Sequence, residues 1–554
     1  MLIFLDLLET LKRVKDTRRR TARLARTFFA QNVLHCGNGN SGEVNKFPVP
    51  LEITFNYLGQ LQQLERHDSL FQHYGEVFSA DTMDAAADMG PDTPRFSLFE
   101  VSAVIIKEKL HISFVHNRNM RHLTRIQAWK AECKRILEVE MPKLKDTAPE
   151  PTLSDYPLLS ISYNGLYNLT ENVLPSLGIS HWSQVEDIYP CSPIQEGIIF
   201  SQIRDPHAYI LNAIFEMRSI GKEGVIDIPR LKKAWSSVIA RHPVLRTMFV
   251  ESSYEEGSFD QVVVKQARET TVDILCNDVD ALSRLDAVTL LNNNEYSNLY
   301  HQLVFCKTST GRLLVKLEMN HAIMDGGSLS ILLNELALAY NNQLTPGSGP
   351  LFSGYVRYLK EDTASETLDY WKERLSGVRP CHLPVSVGDN GARQLGTQMV
   401  AFNRYNELQN FCEARSITFA NVILAAWAVV LRNFTQSDDT CFGYPSTGRD
   451  LPVPGIQDAL GIFINMLCCR VKFGSSQTLL DISKSVQNDH IQSLAHQRSS
   501  LAEIQHALGM QGQPLFNTCV SIQNHANSRL EVSGISYELQ QAHDPSEVSL
   551  YEFA

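Results

Sequence analysis

Apolar positions along the 554-residue chain recur with two periods. VPLEITFNYLGQLQQL (49–64) and FSLFEVSAVIIKEKLHISFVHN (96–117) are rich in β-branched and aromatic residues and read as strands. HLTRIQAWKAECKRILEVEM (122–141), which follows them, places its apolar residues at helical spacing. Further on, RLLVKLEM (312–319) reads as a largely buried strand and SLSILLNELALAY (328–340) as a helix with Ser328 as its N-cap. FANVILAAWAVVLRNF (419–434) is apolar enough for a largely buried helix. Strands and amphipathic helices are thus mixed throughout, which indicates an α/β (α+β) protein.

The pattern breaks once. KDTAPEPTLSDYPLLS carries three prolines, and NGLYNLTENVLPSLGIS follows with Gly165, Pro175 and Gly178, so 146–184 reads as an extended linker between an N-terminal unit (1–145) and a larger one. Length agrees, because a single core typically stops growing at about 250–300 residues. A weak internal repeat links the units. Phe96-Ser97-Leu98-Phe99-Glu100-Val101 resembles Val548-Ser549-Leu550-Tyr551-Glu552-Phe553, and Phe55-Asn56 matches Phe516-Asn517. The first copy continues through a strand and a helix to Leu144, whereas the second stops at Ala554, leaving an expected unpaired edge. Both ends read as cut, the N-terminus in mid-helix.

Composition narrows the function. The net charge of −11 argues against nucleic acid as the main partner. The one basic run, KRVKDTRRRTARLAR (Lys12–Arg26), has no matching basic surface elsewhere and reads as a solvated helix face rather than a phosphate or lipid dock. No apolar run approaches the ~18 residues that cross a bilayer, and MLIFLDLLETLKRVKDTRRR has its apolar and basic parts in the reverse order of a signal peptide. A cytoplasmic protein without a membrane partner is expected. The 11 cysteines form no CxxC pair and no zinc-site spacing with histidine, as expected of buried thiols. Gly37-Asn38-Gly39-Asn40-Ser41-Gly42 matches GxGxxG, but Pro48 and Pro50 forbid the helix a dinucleotide site needs after it.

Candidate chemistry lies in NHAIMDGGS (320–328). Of 17 histidines, His321 alone has an aspartate four residues later. His321 falls between a strand and a helix, where its side chain can enter a cleft while the backbone is held on both sides. Gly326 and Gly327 remove bulk, so that a substrate can approach or the chain can turn with φ > 0. A metal site would need a third ligand that the surroundings do not offer, and no nucleophile elbow such as GxSxG is present for a triad. A base acting directly on a substrate nucleophile remains, as in acyl transfer, and imidazole suits it because its pKa lies near neutrality. Asp325 is either a second carboxylate for the imidazole or an ion-pair partner for a distant arginine.

These residues carry a resemblance. NHAIMDG is similar to the HHxxxDG motif of condensation domains in nonribosomal peptide synthetases, with Asn320 in place of the first histidine. YPCSPIQEGIIFSQ (Tyr189–Gln202), RHPVLRTMF (Arg241–Phe249), FSGYVRYL (Phe352–Leu359) with DYWKERLSG (Asp369–Gly377), LGIFINMLCCR (Leu460–Arg470) and LFNTCVSIQN (Leu515–Asn524) resemble the family's other motifs in order. The match runs from Val185 to Ala554. In the first 145 residues, DLLETLKRVKDTRRRT, Phe55-Asn56-Tyr57-Leu58-Gly59 and TPRFSLFEV with HNRNM (His116–Met120) resemble the C-terminal lobe of an epimerisation domain, in the flavour of filamentous-fungal synthetases.

The resemblance implies a two-lobed fold like chloramphenicol acetyltransferase, with lobes at 185–350 and 351–554 and a tunnel between them, preceded by the single epimerisation-type lobe. It further implies carrier domains that deliver phosphopantetheine thioesters, an adenylation domain in the same synthetase, and no cofactor or metal held by this chain. His321 would orient or deprotonate the acceptor amine, and Gly326 would lend its N–H to the oxyanion. Asp325 would pair with Arg470, or else with Arg246, and the donor would be D-configured. The lobe that would hold an epimerase's own catalytic residues is not present. Replacement of the first histidine by Asn320 also resembles fungal terminal domains that cyclise and release peptides. Two other readings compete. A plant-type alcohol acyltransferase would need a DFGWG-like motif, which CFGYPSTGR (Cys441–Arg449) is not. A docking or scaffold fragment is favoured by the cut ends and disfavoured by the intact His321 and Asp325.

Overall fold

The computed structural model describes residues 7–34, 51–60, 97–106, 108–117, 120–220, 225–252, 257–266, 270–289, 300–361, 364–383, 398, 400–510, 513–522 and 529–543. The GxGxxG segment and the second copy of the repeat at 548–553 lie outside them. The chain divides into two compact units, Met1–Ser154 and Asp155–Ala554.

In the smaller unit, strands β1 (Leu51–Gln60), β2 (Ser97–Ile106) and β3 (Lys109–His116) form one sheet in that order. β1 and β2 are parallel, and β2 and β3 form a hairpin that turns at Glu108 with φ +64°. The helix Leu123–Arg135 buries Ile126 and sets Trp129 edge-on to Phe99, with ring centroids 5.8 Å apart. The basic run lies on the helix Leu7–Leu34, where Arg18, Arg19 and Arg20 are exposed, as a solvated face requires. Lys12 pairs with Glu150, and the buried Asp16 accepts the Ser154 N–H at 2.9 Å.

The larger unit begins within the stretch expected to be a linker. Short helical segments run over Leu153–Asp155, Tyr163–Asn168, Leu169–Val173, Leu174–Ser176 and Trp182–Gln184, and Leu158, Leu166, Leu169 and Leu174 are buried. The prolines misled the reading because Pro175 lies in the last turn of a continuous helical run, Tyr163–Asn168, Leu169–Val173 and Leu174–Ser176, where it ends the helix instead of preventing it.

Its first sheet contains β5 (Ile210–Ser219), β8 (Thr271–Cys276), β9 (His301–Thr308), β10 (Leu313–Asn320), β13 (Arg529–Val532) and β14 (Ile535–His543) in the order β13-β14-β5-β10-β9-β8. All pairs are antiparallel except β8 with β9. β13 and β14 were expected in the second lobe, but they extend the sheet of the first: β14 pairs with β5, from Ile535 opposite Ser219 to His543 opposite Asn212. Helices Ile228–Arg241 and Gly326–Tyr340 cover one face, where Trp235, Val238, Leu332 and Leu336 meet Phe215, Val315 and Leu317. The helix Ala281–Ala287 covers part of the other through Leu285 against Ile214, Val304 and Leu314. β10 is therefore buried along its whole length, as its apolar run predicts. A smaller sheet orders β4 (Val185–Pro190), β7 (Phe259–Val264) and β6 (Thr247–Glu251) as β4-β7-β6.

In the second lobe, β11 (Asp439–Ser446) and β12 (Asn465–Lys472) pair antiparallel, and a bridge from Gly443 to Cys519 brings 513–522 alongside β11. The helix Phe419–Thr435 buries Leu424, Ala425, Ala428 and Leu431 against Trp371, Phe442 and Leu467, while Phe434 near its end is exposed. Among the described residues the cysteines are all free, and no single helix is long and apolar enough to cross a membrane.

Candidate functional site

His321 is the first residue past β10. Its N–H donates to the Tyr209 carbonyl at 2.9 Å, at the point where β5 begins. Tyr209 is buried with φ +59°, a conformation that costs a non-glycine residue about 1–2 kcal/mol. The neighbouring strand therefore fixes the position of the histidine backbone at some energetic cost.

Asn320, in place of the motif's first histidine, is a buried brace. Its Nδ2 donates to Gln202 Oε1 at 3.1 Å and its Oδ1 accepts the Ala322 N–H at 2.8 Å. Gln202 in turn donates to Ala208 O at 2.9 Å, which ties the helix Pro193–Arg204 to the residue before Tyr209. Beneath this, the fully buried Gln195 and Gln261 exchange amide hydrogen bonds at 3.0 and 2.9 Å, and Gln195 Nε2 also donates to Ala322 O at 2.9 Å. The Ala322 N–H and carbonyl, next to His321, are thus both held by side-chain amides in a dry setting, where such bonds are strong.

The imidazole is partly buried, and its Nδ1 lies 3.2 Å from the Met324 carbonyl. A carbonyl only accepts, so Nδ1 carries the proton. In the neutral ring, Nε2 then holds the lone pair of a base.

Asp325 lies at the N-cap of the helix Gly326–Tyr340 and accepts the Ser328 N–H at 2.8 Å, so Asp325 and not Ser328 caps this helix. The Ser328 hydroxyl sits 2.8 Å from Asp325 Oδ1 and 2.9 Å from the Gly461 carbonyl. Asp325 Oδ2 accepts the Phe463 N–H at 3.2 Å, and Arg449 Nη2 donates to Oδ1 at 2.9 Å. None of these bonds comes from the imidazole, so Asp325 ties the histidine loop to the second lobe and does not serve as a carboxylate for the ring.

The arginine on Asp325 is Arg449, and both expected candidates are elsewhere. Arg470 forms a two-pronged pair with Asp439 at 2.9 and 2.6 Å, because β12 runs antiparallel to β11 and sets Arg470 opposite Cys441, two residues from that aspartate. Arg246 reaches Glu186 at 2.6 Å and the Val264 carbonyl within the first lobe. Arg449 also donates to the Ile456 and Ala459 carbonyls at 3.0 Å each, and its guanidinium lies 4.8 Å from the centre of the Phe463 ring. It follows Gly448, which has φ +65° and whose missing Cβ would sit 2.1 Å from the Phe463 carbonyl oxygen. Only glycine fits there. A glycine-arginine pair just past a strand was the available signal, and it was read only for its lack of a DFGWG pattern.

Gly327 is a glycine for space, since a Cβ there would fall 2.7 Å from Arg449 Nε. Gly326 has nothing within 4 Å of that position and is exposed at the helix N-terminus. Among the described residues, no group of three His, Cys, Asp or Glu is placed to hold a metal ion.

The profile of a family described as Condensation domain matches residues 185–554. Nonribosomal peptide synthetase nlsA of Emericella nidulans is 68% identical over 543 residues, 98% of this chain and 9% of that protein. Nonribosomal peptide synthetase 1 of Aspergillus fumigatus is 54% identical over 547 residues, again 98% of this chain and 9% of that protein. The chain therefore spans less than a tenth of the length of these relatives. Among solved structures, holo T3CT superposes with a TM-score of 0.54 at 20% identity, covering 70% of this chain and 86% of that one. The condensation domain from the monacolin K polyketide synthase superposes at 0.51 and 17% identity, covering 66% and 87%. At these identities the likeness concerns the fold: the larger unit shares the two-lobed arrangement of those chains.

Proposed function

The chain belongs to the condensation-domain family, and on that premise we propose that its larger unit joins a carrier-bound acyl thioester to an acceptor amine. The observation that carries this reading is the Nδ1 contact to Met324 O, which leaves Nε2 as the basic nitrogen at a site backed by Gly326. The amine nitrogen attacks the thioester carbonyl carbon and the C–N bond forms. Nε2 of His321 takes the N–H proton, and the Gly326 N–H donates to the oxyanion. Collapse breaks the C–S bond, the thiolate leaves, and the imidazolium returns the proton to sulfur. Amide and thiol are the products, with the imidazole restored.

Both thioesters would arrive on phosphopantetheine arms of carrier domains, with an adenylation domain of the same synthetase loading the acceptor, all in the cytoplasm. The unit at 1–154 would derive from an epimerisation-type lobe, which makes a D-configured donor the reading of choice. The cyclising reading raised by Asn320 gains nothing from the geometry, because that amide is spent on Gln202 and Ala322. The test is single-turnover amide formation with both substrates loaded on carriers. His321→Ala should lower the rate by about 10²–10⁴-fold, the usual worth of a positioned base, with an unchanged unfolding midpoint. A variant that keeps its rate to within about twofold, less than any positioned base contributes, would sink the proposal.

A further inference from the structure

The second lobe contains a cavity of about 150 Å³ between the end of β12, the helix Ala364–Arg374 and the helix Leu479–Leu494, lined by charged groups that the proposed reaction does not use. Arg470 lies at its floor with a side chain 3% exposed, Arg374 and Asp489 form its walls, and the exposed Lys472, Gln477 and Ser485 its rim.

The donors there are not exhausted. Arg470 commits four of its five N–H bonds: two to Asp439, and one each to the Arg374 carbonyl at 3.2 Å and the Ser376 carbonyl at 2.8 Å. Arg374 spends Nη2 on Asp489 and the Arg470 carbonyl, which leaves Nε and Nη1 uncommitted among the described residues. Lys472 has no carboxylate partner among them either. Three cations therefore face one carboxylate, and with Asp439 behind Arg470 counted, positive charge remains in excess on a chain whose net charge is −11.

We propose that this cavity binds one hydrogen phosphate ion. Cations converging from two segments, Arg374 from the end of its helix and Arg470 with Lys472 from β12, suit a compact ion with several oxygens better than a planar carboxylate. The volume admits such an ion. Asp489 selects within the class: a carboxylate on the wall repels an anion unless that anion brings a proton to donate. Hydrogen phosphate has an O–H for it, and sulfate has none. Sulfate would set its oxygens against the Asp489 carboxylate with no proton between them, a like-charge contact that the Arg374 pair offsets only in part.

The experiment is calorimetric titration of the full chain with sodium phosphate and, separately, sodium sulfate at pH 8 and matched ionic strength, with the thermal midpoint followed in parallel. Phosphate should bind at least about tenfold more tightly than sulfate, a difference of about 1.4 kcal/mol. Lys472→Gln changes an exposed side chain and should weaken phosphate by about tenfold, in line with the loss of one charge-assisted bond. Asp489→Asn should bring sulfate to within about threefold of phosphate, because the carboxamide donates where the carboxylate only accepts. Equal effects of the two anions on the wild-type chain would mean general salt stabilisation and would overturn the proposal. So would a Lys472→Gln titration that matches the wild type.

Discussion

Arg449 gives the sharpest test of how the site is held. Arg449→Met keeps an unbranched apolar stem but removes the guanidinium both from the Phe463 ring and from Asp325, a carboxylate only 2% exposed. Stripping one partner from a buried pair costs about 3–5 kcal/mol, because the remaining charge is left in low dielectric. The Ile456 and Ala459 carbonyls also lose their donor, at about 1 kcal/mol each. Against this, Asp325 keeps the Ser328 and Phe463 N–H bonds, so the total should fall near 4 kcal/mol, toward the middle of the buried-pair range. Asp325→Asn retains an acceptor for Ser328 N–H but strands the arginine, for about 3 kcal/mol. The double variant should then lose about 2–3 kcal/mol less than the sum, since neither charge is stranded. The assay is the urea midpoint of the four proteins at constant slope, with Arg470→Met as a control that couples to Asp439→Asn and adds independently to Asp325→Asn. A coupling below about 0.5 kcal/mol between positions 449 and 325, within the scatter of independent sites, would refute the assignment of the pair.

The remaining predictions are narrower. Gly448→Ala forces a Cβ toward the Phe463 carbonyl and a side chain into φ +65°, so it should destabilise by more than about 2 kcal/mol and abolish amide formation together with the Arg449 clamp, both read on one preparation. Burial pushes the His301 imidazole down to about 4 against the opposing bond to Leu245 O. Because its folded pKa lies below the unfolded value, His301 contributes stability that is present above about pH 6.5 and lost as pH falls through about 4, on the order of 3 kcal/mol in all. A His301→Gln chain should show a correspondingly flatter urea-midpoint profile over that window. Burial raises the Asp187 carboxyl to about 6, with the Ile188 N–H opposing it and Glu186 adding to it. A raised carboxylate loses stability as pH rises from about 4 to 6, so Asp187→Asn should gain about 1–2 kcal/mol at pH 7.5 and nearly nothing at pH 4, measured by the same midpoint.

Local rules reached some of this arrangement and not the rest. β10 and the helix after it were legible because an apolar run followed by a polar residue and two glycines has few alternatives. His321 stood out by the aspartate four residues on, and β2 and β3 by their β-branched and aromatic content, with the following helix by its period. Arg449 was not legible, because a charge 124 residues from its partner leaves no periodic trace. Arg470 looked suitable only because its strand was recognised, and the register that turns it to Asp439 is a tertiary property. The linker reading failed where prolines were counted as breakers without asking which helical position they occupy. Gln195, Gln202 and Gln261 are amides whose burial is visible only once the sheet is assembled, so their role in fixing His321 could not be read from spacing.

The pairing of β14 with β5 sets a timetable for synthesis. The strands are separated by about 320 residues along the chain, and at about 5–20 residues per second β5 waits on the order of 15–60 s for its neighbour. Throughout that interval its open edge, and the apolar faces of Phe215 and Met217, can recruit another strand. A ribosome releasing this unit therefore depends on something to shield residues 210–219, and a nascent chain stalled before residue 535 should be held by chaperones or lost to aggregates, however complete its His321 loop.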